Sequence, residues 1–485
     1  MAADPGVSQL IEEIRRGPSG PKIAAIFDFD GTLIDGYSAA TLYQYRLLHG
    51  DLGPFELWRT AQRMRGPTLD EDGFVELVHD GLKSWNGRTW DDFIALGREL
   101  CTGTAGGFIG NLFHDAWRLV RAHKAMDHTL VIATSATEMQ VAPLAEQLEI
   151  DHVLCTRLEV IDGLLTGKVA GRTLWGPGKI AAVREFAVEH EVDLTISHAY
   201  ANGDEDVPLL AAVGQPHPVN PQPELVEAAH RAGWTPLLFD SGKAGLLDVR
   251  PALRTAALFG TFFGSAGAGA ALGFLNKSRR TGVDLAGTFF DTFAGPLTGI
   301  DVEVIGQENA WAARPAVFLI NHQSHLVDFL ATVHVLRRGF TAVAKAEVKQ
   351  MPLVGPLFDL AGVAFLDRTD RDKAIEALGP ALQKLREGTS IVIAPEGTRS
   401  LTPLPGPFKK GGFHLAMQAG VPIVPIVIRN AGELMWRRAR TVRSGTVEVA
   451  VLPPIPTVGW TKQDLDEQVI AVRQLYIDTL ENWPS

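Results

Sequence analysis

Cysteine is almost missing from this chain of 485 residues, which carries only Cys101 and Cys155. Two thiols exclude a disulfide framework and a cysteine-built metal cage; they suit a reducing compartment and read as ordinary, partly buried side chains. Positive charge is scarce too. A formal net charge of -11 and an aromatic share of 8% argue against nucleic acid as a partner, because its phosphates demand a basic face. Local basic patches toward anionic lipid stay open. Residues 1–20 carry Glu12, Glu13, Arg15 and Arg16 and lack the apolar core of a secretory signal, so a cytoplasmic protein is expected. The chain has no internal repeat and is too long for one hydrophobic core, so two or three domains are expected.

What is present begins with short apolar runs that end in polar, chemistry-bearing residues. Lys22 to Phe29 reads as a buried parallel strand with acids at its carboxyl end, and Leu130 to Ala133 as a second strand. Between them, helix-period apolar positions such as Phe55 to Met64 and Phe93 to Leu100 predict a helical cap over about 37–125. Helices over Met139 to Leu148 and Lys179 to His190, then a strand over Leu194 to Ala199 before Asn202-Gly203-Asp204-Glu205-Asp206, complete a doubly wound α/β domain over 21–240. A second α/β domain is expected over 301–485. Strands at Ala316 to Ile320, Thr341 to Ala344, Ser390 to Ala394 and Val424 to Ile428 alternate there with helices such as Asp372 to Leu385, and a closing amphipathic helix follows Thr461.

Between the two lies an apolar segment over 250–300. Thr255 to Leu275 holds no charge, and as a helix it would reach about 30 Å, the depth of a hydrocarbon core. Gly260/Gly264 and Gly269/Gly273 stand at small-xxx-small spacing, which permits close helix approach and a homodimer through this segment. A second apolar stretch, Leu285 to Ile300, has Asp284 before it and Asp291 inside it. The pattern predicts a membrane-associating helical hairpin at the cytoplasmic face, with Phe262, Phe263 and Phe274 as anchors and Lys277, Arg279 and Arg280 at the headgroups. A Gly/Ala-rich packing helix buried in protein is the other reading.

Phosphate-ester hydrolysis needs a nucleophile, a proton source and cations around the phosphoryl group. In Phe27-Asp28-Phe29-Asp30-Gly31-Thr32, two carboxylates stand two positions apart at a strand end, so one can attack while the other handles the proton. Together with Ala133-Thr134-Ser135-Ala136-Thr137, Gly176-Pro177-Gly178-Lys179 and Asp206-Val207-Pro208-Leu209-Leu210, residues 20–240 resemble the phosphoserine-phosphatase-like branch, subfamily IB, of the haloacid-dehalogenase superfamily. That resemblance implies a Rossmann-like hydrolase domain with a helical cap and magnesium as cofactor. It makes Asp28 the nucleophile, Asp30 the general acid/base, Ser135 the phosphate hydroxyl and Lys179 the neutralising lysine. Asp28, Asp30, Asn202 and Asp206 are the implied metal positions. Asn202 departs from the family pattern, which has an acid there, and an amide brings no negative charge. Asp204 is the other acid that can take over if the loop adjusts.

Acyl transfer to an alcohol needs a base for the hydroxyl and an anchor for the acceptor's phosphate. His322 stands in Asn321-His322-Gln323-Ser324 after a predicted buried strand. This block, Lys345-Ala346-Glu347, Phe365-Leu366-Asp367-Arg368, Pro395 to Ser400, Phe408-Lys409-Lys410-Gly411 and Val421 to Pro425 resemble, in order, the glycerolphosphate and lysophosphatidic-acid acyltransferase family. The resemblance implies direct attack of the acceptor hydroxyl on an acyl thioester, with His322 as base and Asp328 orienting it. Glu396, Gly397, Thr398 and Arg399 would shape the phosphate site, joined by Arg368 and Lys345. Here five residues separate His322 from Asp328, where the family has four. On a helix the extra residue turns the carboxylate by about 100°. Either a π-bulge absorbs it, or His325, three residues before Asp328, is the base.

Taken together, these readings predict two α/β domains joined by an apolar helical segment. The protein would be a bifunctional, membrane-associated enzyme of phospholipid synthesis. Its acyltransferase would use acyl-CoA, or acyl carrier protein, and lysophosphatidic acid to give phosphatidic acid; its phosphomonoesterase would require magnesium. Two alternatives stay open: an acyltransferase with a degenerate, regulatory phosphatase-like domain, and a small-metabolite phosphatase whose second half docks it to lipid.

Overall fold

The computed structural model describes residues 5–49, 81–102, 111–239, 249–352, 354–366, 379–400, 402–435 and 441–484. The chain divides into two compact units, residues 2–243 and 244–485.

The first unit opens with a helix that the sequence-based expectation lacked, α1 (Pro5–Arg16), whose Val7, Leu10, Ile11 and Ile14 are buried. Its sheet holds β1 (Ala24–Phe27), β2 (Thr129–Thr137), β3 (His152–Thr156), β6 (His198–Ala201) and β7 (Gln215–Pro218), all parallel, in the order β3-β2-β1-β6-β7. β1 is central and buried throughout, as a run of Ala, Ile and Phe covered on both faces must be. Asp28 therefore emerges from the middle of the sheet at its carboxyl edge, where open α/β sheets place their ligands.

Between β1 and β2, the helices α2 (Ser38–Leu48) and α3 (Trp90–Thr102) are described, whereas the expected cap helix Phe55 to Met64 lies outside the described residues. The next helix, α4 (His114–Ala125), packs on α1 and β2. It belongs to the sheet layer, so the cap is shorter at that end than the expected 37–125. After β3, an unforeseen hairpin pairs β4 (Leu158–Ile161) with β5 (Leu164–Val169); its turn residues Asp162 and Gly163 both have positive φ, 51° and 77°. α5 (Glu138–Leu148) and α6 (Pro177–Glu189) cover the sheet. The expected strand Leu194 to Ala199 is split. Asp193 accepts the Thr195 N–H and curls Leu194–Ile196 into a 3-10 turn, so β6 starts only at His198. α7 (Pro223–Ala232) closes the unit.

The second unit begins with the helices α8 (Arg250–Leu275) and α9 (Arg279–Thr298), folded against each other as a hairpin. A Cβ on Gly269 would lie 2.5 Å from the Gly282 carbonyl, and one on Gly273 would lie 3.0 Å from Gly282 Cα. That glycine pair is spent on the α8–α9 crossing, leaving Gly260 and Gly264 facing open space as the pair still available to a second copy. The sheet runs β11 (Ala364–Leu366), β10 (Phe340–Lys345), β12 (Ser390–Ile393), β9 (Val317–Ile320), β13 (Ile423–Arg429), β14 (Gly445–Val451), β8 (Ile300–Ile305). Only the β13–β14 pair is antiparallel.

Alternate residues of β9 enter two cores. Phe318 and Ile320 meet α10 (Leu326–Leu336) and the hairpin residues Leu258, Phe290 and Ala294. Val317 and Leu319 meet α11 (Leu465–Glu481), whose fully buried Tyr476 donates from Oη to the Leu319 carbonyl at 2.6 Å. One face of the hairpin is thus core. Phe262, expected as a lipid anchor, turns inward against Phe290 and Phe329. Leu253, Phe259, Phe274, Leu275, Phe293 and Leu297 are the exposed large apolar side chains, Phe274 at 84%. Arg279, expected at the headgroups, instead donates to the carbonyls of Asp359 and Leu360. The expected helix Asp372 to Leu385 is described only as Gly379–Arg386.

Four histidines gather beneath β6 in the first unit. His123 Nδ1 lies 2.8 Å from His128 Nδ1, His123 Nε2 lies 2.8 Å from Tyr200 Oη, and His198 Nδ1 lies 3.0 Å from His217 Nε2. Burial and the neighbouring imidazoles lower the pKa of His123, His198 and His217, bringing His198 down to about 4 and His217 to about 3. An unfolded histidine takes a proton near pH 6.5. His217 therefore stabilises the fold above that pH and progressively loses this contribution as pH falls toward 3, a term on the order of 4 kcal/mol. His217→Gln is expected to lower stability at pH 7.5, with the deficit shrinking between pH 6.5 and 4. Denaturant midpoints of the two proteins across that range check this, since the raised carboxyls Asp30 and Asp206 are common to both; a pH-independent difference contradicts it.

Two candidate active sites

In the first unit Asp28 follows β1 directly, and its backbone N–H donates to the Tyr200 carbonyl at 2.8 Å. Lys179, in the first turn of α6 and 2% exposed, places Nζ 2.9 Å from Asp28 Oδ1 and 2.6 Å from Asp206 Oδ1. Burial works against the ammonium charge, yet Asp206 and Asp28 together raise the Lys179 pKa. Asp206 Oδ2 is buried with no hydrogen-bond partner. Burial pushes Asp30 up to about 7, helped by the Asp28 charge and opposed by Ser38 and Lys179. Asp30 thus sits where a group that both gives and takes a proton near neutrality should.

Both Asp30 carboxylate oxygens are engaged by one residue. Ser38 N donates to Oδ1 at 2.7 Å and Ser38 Oγ to Oδ2 at 3.0 Å. Gln140 Nε2 donates to Ser38 Oγ at 2.7 Å, and Gln140 Oε1 accepts from Thr137 in the capping box of α5. This relay from the start of α2 to the end of β2 was not foreseen from sequence; Ser38 and Gln140 stand 102 positions apart. Ser135 is half-buried at the irregular end of β2, where Thr156 Oγ1 donates to its carbonyl at 2.8 Å.

Asn202 packs on the loop after Asp30. Gly31 has φ of 77°, and a Cβ there would lie 2.2 Å from Asn202 Nδ2, so the close approach requires glycine. Asp204 is tied to the start of α7. Its Oδ1 accepts the Leu225 N–H at 2.8 Å and caps α7. Among the described residues, no three His, Cys, Asp or Glu side chains converge as a ready-made metal cage.

In the second unit His322 lies in the loop between β9 and α10. Its Nδ1 is 2.7 Å from Asp328 Oδ2, an oxygen that also accepts the N–H groups of Gln323 and Ser324, each at 2.9 Å. Burial raises the Asp328 pKa, and these donors pull it back. No π-bulge is needed for the fifth intervening residue. His322 precedes the helix, which starts at Leu326, so rotation about a helix axis does not apply, and the Asp328 carboxylate reaches back from the first turn. The ring of His325 is exposed, its centroid 5.4 Å from that of His322, and Asp328 turns to His322.

Neighbouring side chains lock the loop. Asn321 bridges to β13 by donating to the Ile428 carbonyl at 2.8 Å and accepting its N–H at 2.7 Å. Gln323 donates to the Pro403 carbonyl and accepts from Gly432 N. Glu396, 4% exposed, accepts from His322 N at Oε1 and from Ser400 Oγ and Gly406 N at Oε2. Burial raises its pKa. Both Glu396 carboxylate oxygens are engaged inside the protein. What Glu396 does is tie the His322 loop to the Gly397-Thr398-Arg399 turn, where Thr398 is exposed and Arg399 half-buried. Lys345 ends β10, and Arg368 lies outside the described residues.

Two family models match the chain in succession: haloacid dehalogenase-like hydrolase over residues 25–211 and acyltransferase over residues 301–429. Residues 25–211 are thus similar to haloacid dehalogenase-like hydrolases and residues 301–429 to acyltransferases; both regions are α/β, with a helical segment between them in the chain. Among curated proteins the chain is similar to the 1-acyl-sn-glycerol-3-phosphate acyltransferase of Saccharomyces cerevisiae, 38% identical over 190 residues, covering 38% of this chain and 61% of that protein. Its similarity to the human 1-acyl-sn-glycerol-3-phosphate acyltransferase alpha is 39% over 178 residues, covering 36% of this chain and 62% of that one. The chain thus spans about three fifths of the length of these relatives. A solved structure, the 1-acyl-sn-glycerophosphate acyltransferase PlsC of Thermotoga maritima, aligns at 25% identity with a TM-score of 0.42, covering 49% of this chain and 98% of that one.

Proposed function

We propose that the second unit transfers an acyl group from an acyl thioester, of coenzyme A or acyl carrier protein, to lysophosphatidic acid, giving phosphatidic acid. The observation that carries this reading is the His322–Asp328 pair, held in a loop whose backbone is pinned by Glu396. With Nδ1–H donated to Asp328, Nε2 is left as the acceptor for the hydroxyl proton. The hydroxyl oxygen then attacks the thioester carbonyl, the carbon–sulfur bond breaks, and the proton passes to the leaving thiolate. Arg399 and the Gly397-Thr398 backbone would hold the acceptor's phosphate, where a guanidinium can grip two oxygens at once. The names of the acyltransferase relatives support the substrate class.

We further propose that the first unit is a magnesium-dependent phosphomonoesterase. The orphaned Asp206 Oδ2 and an all-oxygen donor set fit a hard cation. Asp28, Asp30, Asn202 and Asp206 would hold it. The ion would neutralise phosphoryl charge. Asp28 attacks phosphorus as the bond to the ester oxygen breaks, Asp30 gives its proton to the leaving alkoxide, and Lys179 holds Asp28 in line; water, giving its proton to Asp30, then attacks the phosphoryl group, which releases phosphate and frees Asp28. With an amide at Asn202, metal affinity is weaker than a third carboxylate would give.

Thiol release from acyl-CoA on adding lysophosphatidic acid, and phosphate release that needs magnesium, test the two halves separately. Absence of the first overturns the acyltransferase reading. Membrane association is part of the proposal, since α8 is the one described helix long and apolar enough to cross a bilayer. Serine at Phe259, Phe274 and Phe293 together is expected to release the protein from membranes and to lower activity on bilayer substrate more than on soluble short-chain analogues. Sedimentation with vesicles reads this; an unchanged bound fraction would move the membrane contact elsewhere.

A further inference from the structure

The hairpin does more than offer an apolar surface, because α9 is bolted to the helix that carries Asp328. Asp284 and Asp291, the two acids of α9, both point at α10 and the turn after it. Asp291 Oδ1 lies 2.6 Å from His334 Nδ1, and Asp284 Oδ1 accepts the Gly339 N–H at 3.2 Å. Between them Gly287 lets the helices touch. A Cβ there would lie 3.3 Å from the Arg337 carbonyl and 3.7 Å from Val333 Cγ1. At the other end of α10, Phe329, the neighbour of Asp328, is clasped by Phe262 of α8 and Phe290 of α9, with ring centroids 5.6 and 5.3 Å away. An 11-residue helix gripped at both ends moves as a rod. Its first turn holds the carboxylate that orients His322.

We propose that Asp291, acting through His334, is a positioning residue of the acyltransferase centre: it sets where α10 lies, and so whether Asp328 sits squarely behind the His322 imidazole. The inference rests on the acyltransferase reading above. A carboxylate buried as deeply as Asp328 cannot follow the imidazole if its helix slides, and displacements near 1 Å in such constellations cost up to about 10² in rate. Asp284 serves the same end by fixing the turn at Gly339. A membrane hairpin that merely tethered the enzyme would need neither acid.

The test compares full-length wild type, Asp291→Ala and Asp291→Asn in detergent micelles with acyl-CoA and lysophosphatidic acid. Asp291→Ala is expected to lower kcat about tenfold with KM for both substrates unchanged. The acid limb of its pH–rate profile is expected to move to lower pH, because an imidazole that loses its carboxylate partner is less basic. A mere loss of folded protein scales the profile without moving it. Asp291→Asn keeps an acceptor oxygen for His334 and is expected to recover most of the rate. In a His322→Ala background, Asp291→Ala should cost nothing further. An unchanged kcat, a profile reduced in height without a shift, or a full second loss on top of His322→Ala overturns the proposal. A wild type without thiol release overturns the acyltransferase reading instead, which keeps the two failures apart.

Discussion

His322→Ala is expected to lower acyl transfer by about 10²-fold or more while leaving the fold and phosphate release intact. The expectation follows from the geometry of one loop. Asp328 Oδ2 takes the Nδ1 proton of His322, which leaves Nε2 as the base, and the loop backbone is fixed by Glu396, Asn321 and Gln323 independently of the imidazole. Removing the ring therefore removes the proton acceptor without opening the loop. Thiol release under saturating substrates is the measurement. His325→Ala is expected to stay within a few-fold of wild type, because that ring is exposed and Asp328 is turned toward its neighbour. If instead His325→Ala abolishes transfer and His322→Ala does not, the base has been assigned to the wrong ring.

The second large effect belongs to the other unit. Asp28→Asn is expected to abolish magnesium-dependent phosphate release and to leave acyl transfer untouched. An amide is too weak a nucleophile to form a phosphoenzyme. It would also leave Lys179, now compensated by both Asp28 and Asp206, with one carboxylate. Phosphate release that persists in Asp28→Asn rules out attack by this carboxylate. Asn202→Asp is the complementary change: a charged oxygen beside Gly31 should tighten magnesium, read as a lower metal concentration for half-maximal rate.

Much of both sites could be read because chemistry there is written in contiguous blocks at strand ends. Asp28 and Asp30 follow β1, His322 follows β9, and Lys179 opens α6. What escaped is of two kinds. Some was local and legible: Val7, Leu10, Ile11 and Ile14 follow the spacing of a helix with one buried face, and Asp162-Gly163 is a two-residue hairpin turn. The rest is joined only by folding. Ser38 and Gln140, the pair His123 and His128 with Tyr200, and Asp291 with His334 are far apart in the chain, so no spacing rule announces them. The extra residue between His322 and Asp328 needs no accommodation for a related reason: helix geometry does not apply where the chain has not yet begun its helix.

The hydrogen bond from Tyr476 to the Leu319 carbonyl bears on the order in which the protein matures on the ribosome. β9 leads directly into the His322 loop, yet one of its two covers is α11, which begins at Leu465, well past residue 429 where the acyltransferase match ends. β8 must likewise wait for β14 before it can pair. The first unit, residues 2–243, holds all its strands long before that. During synthesis a folded hydrolase domain would therefore precede a completed acyltransferase by some two hundred residues of elongation, about 10 to 40 seconds at common rates. Through that interval the apolar α8 and α9 are already exposed. A nascent chain that reaches the bilayer then would assemble its acyltransferase sheet in place, against a hairpin already seated in lipid.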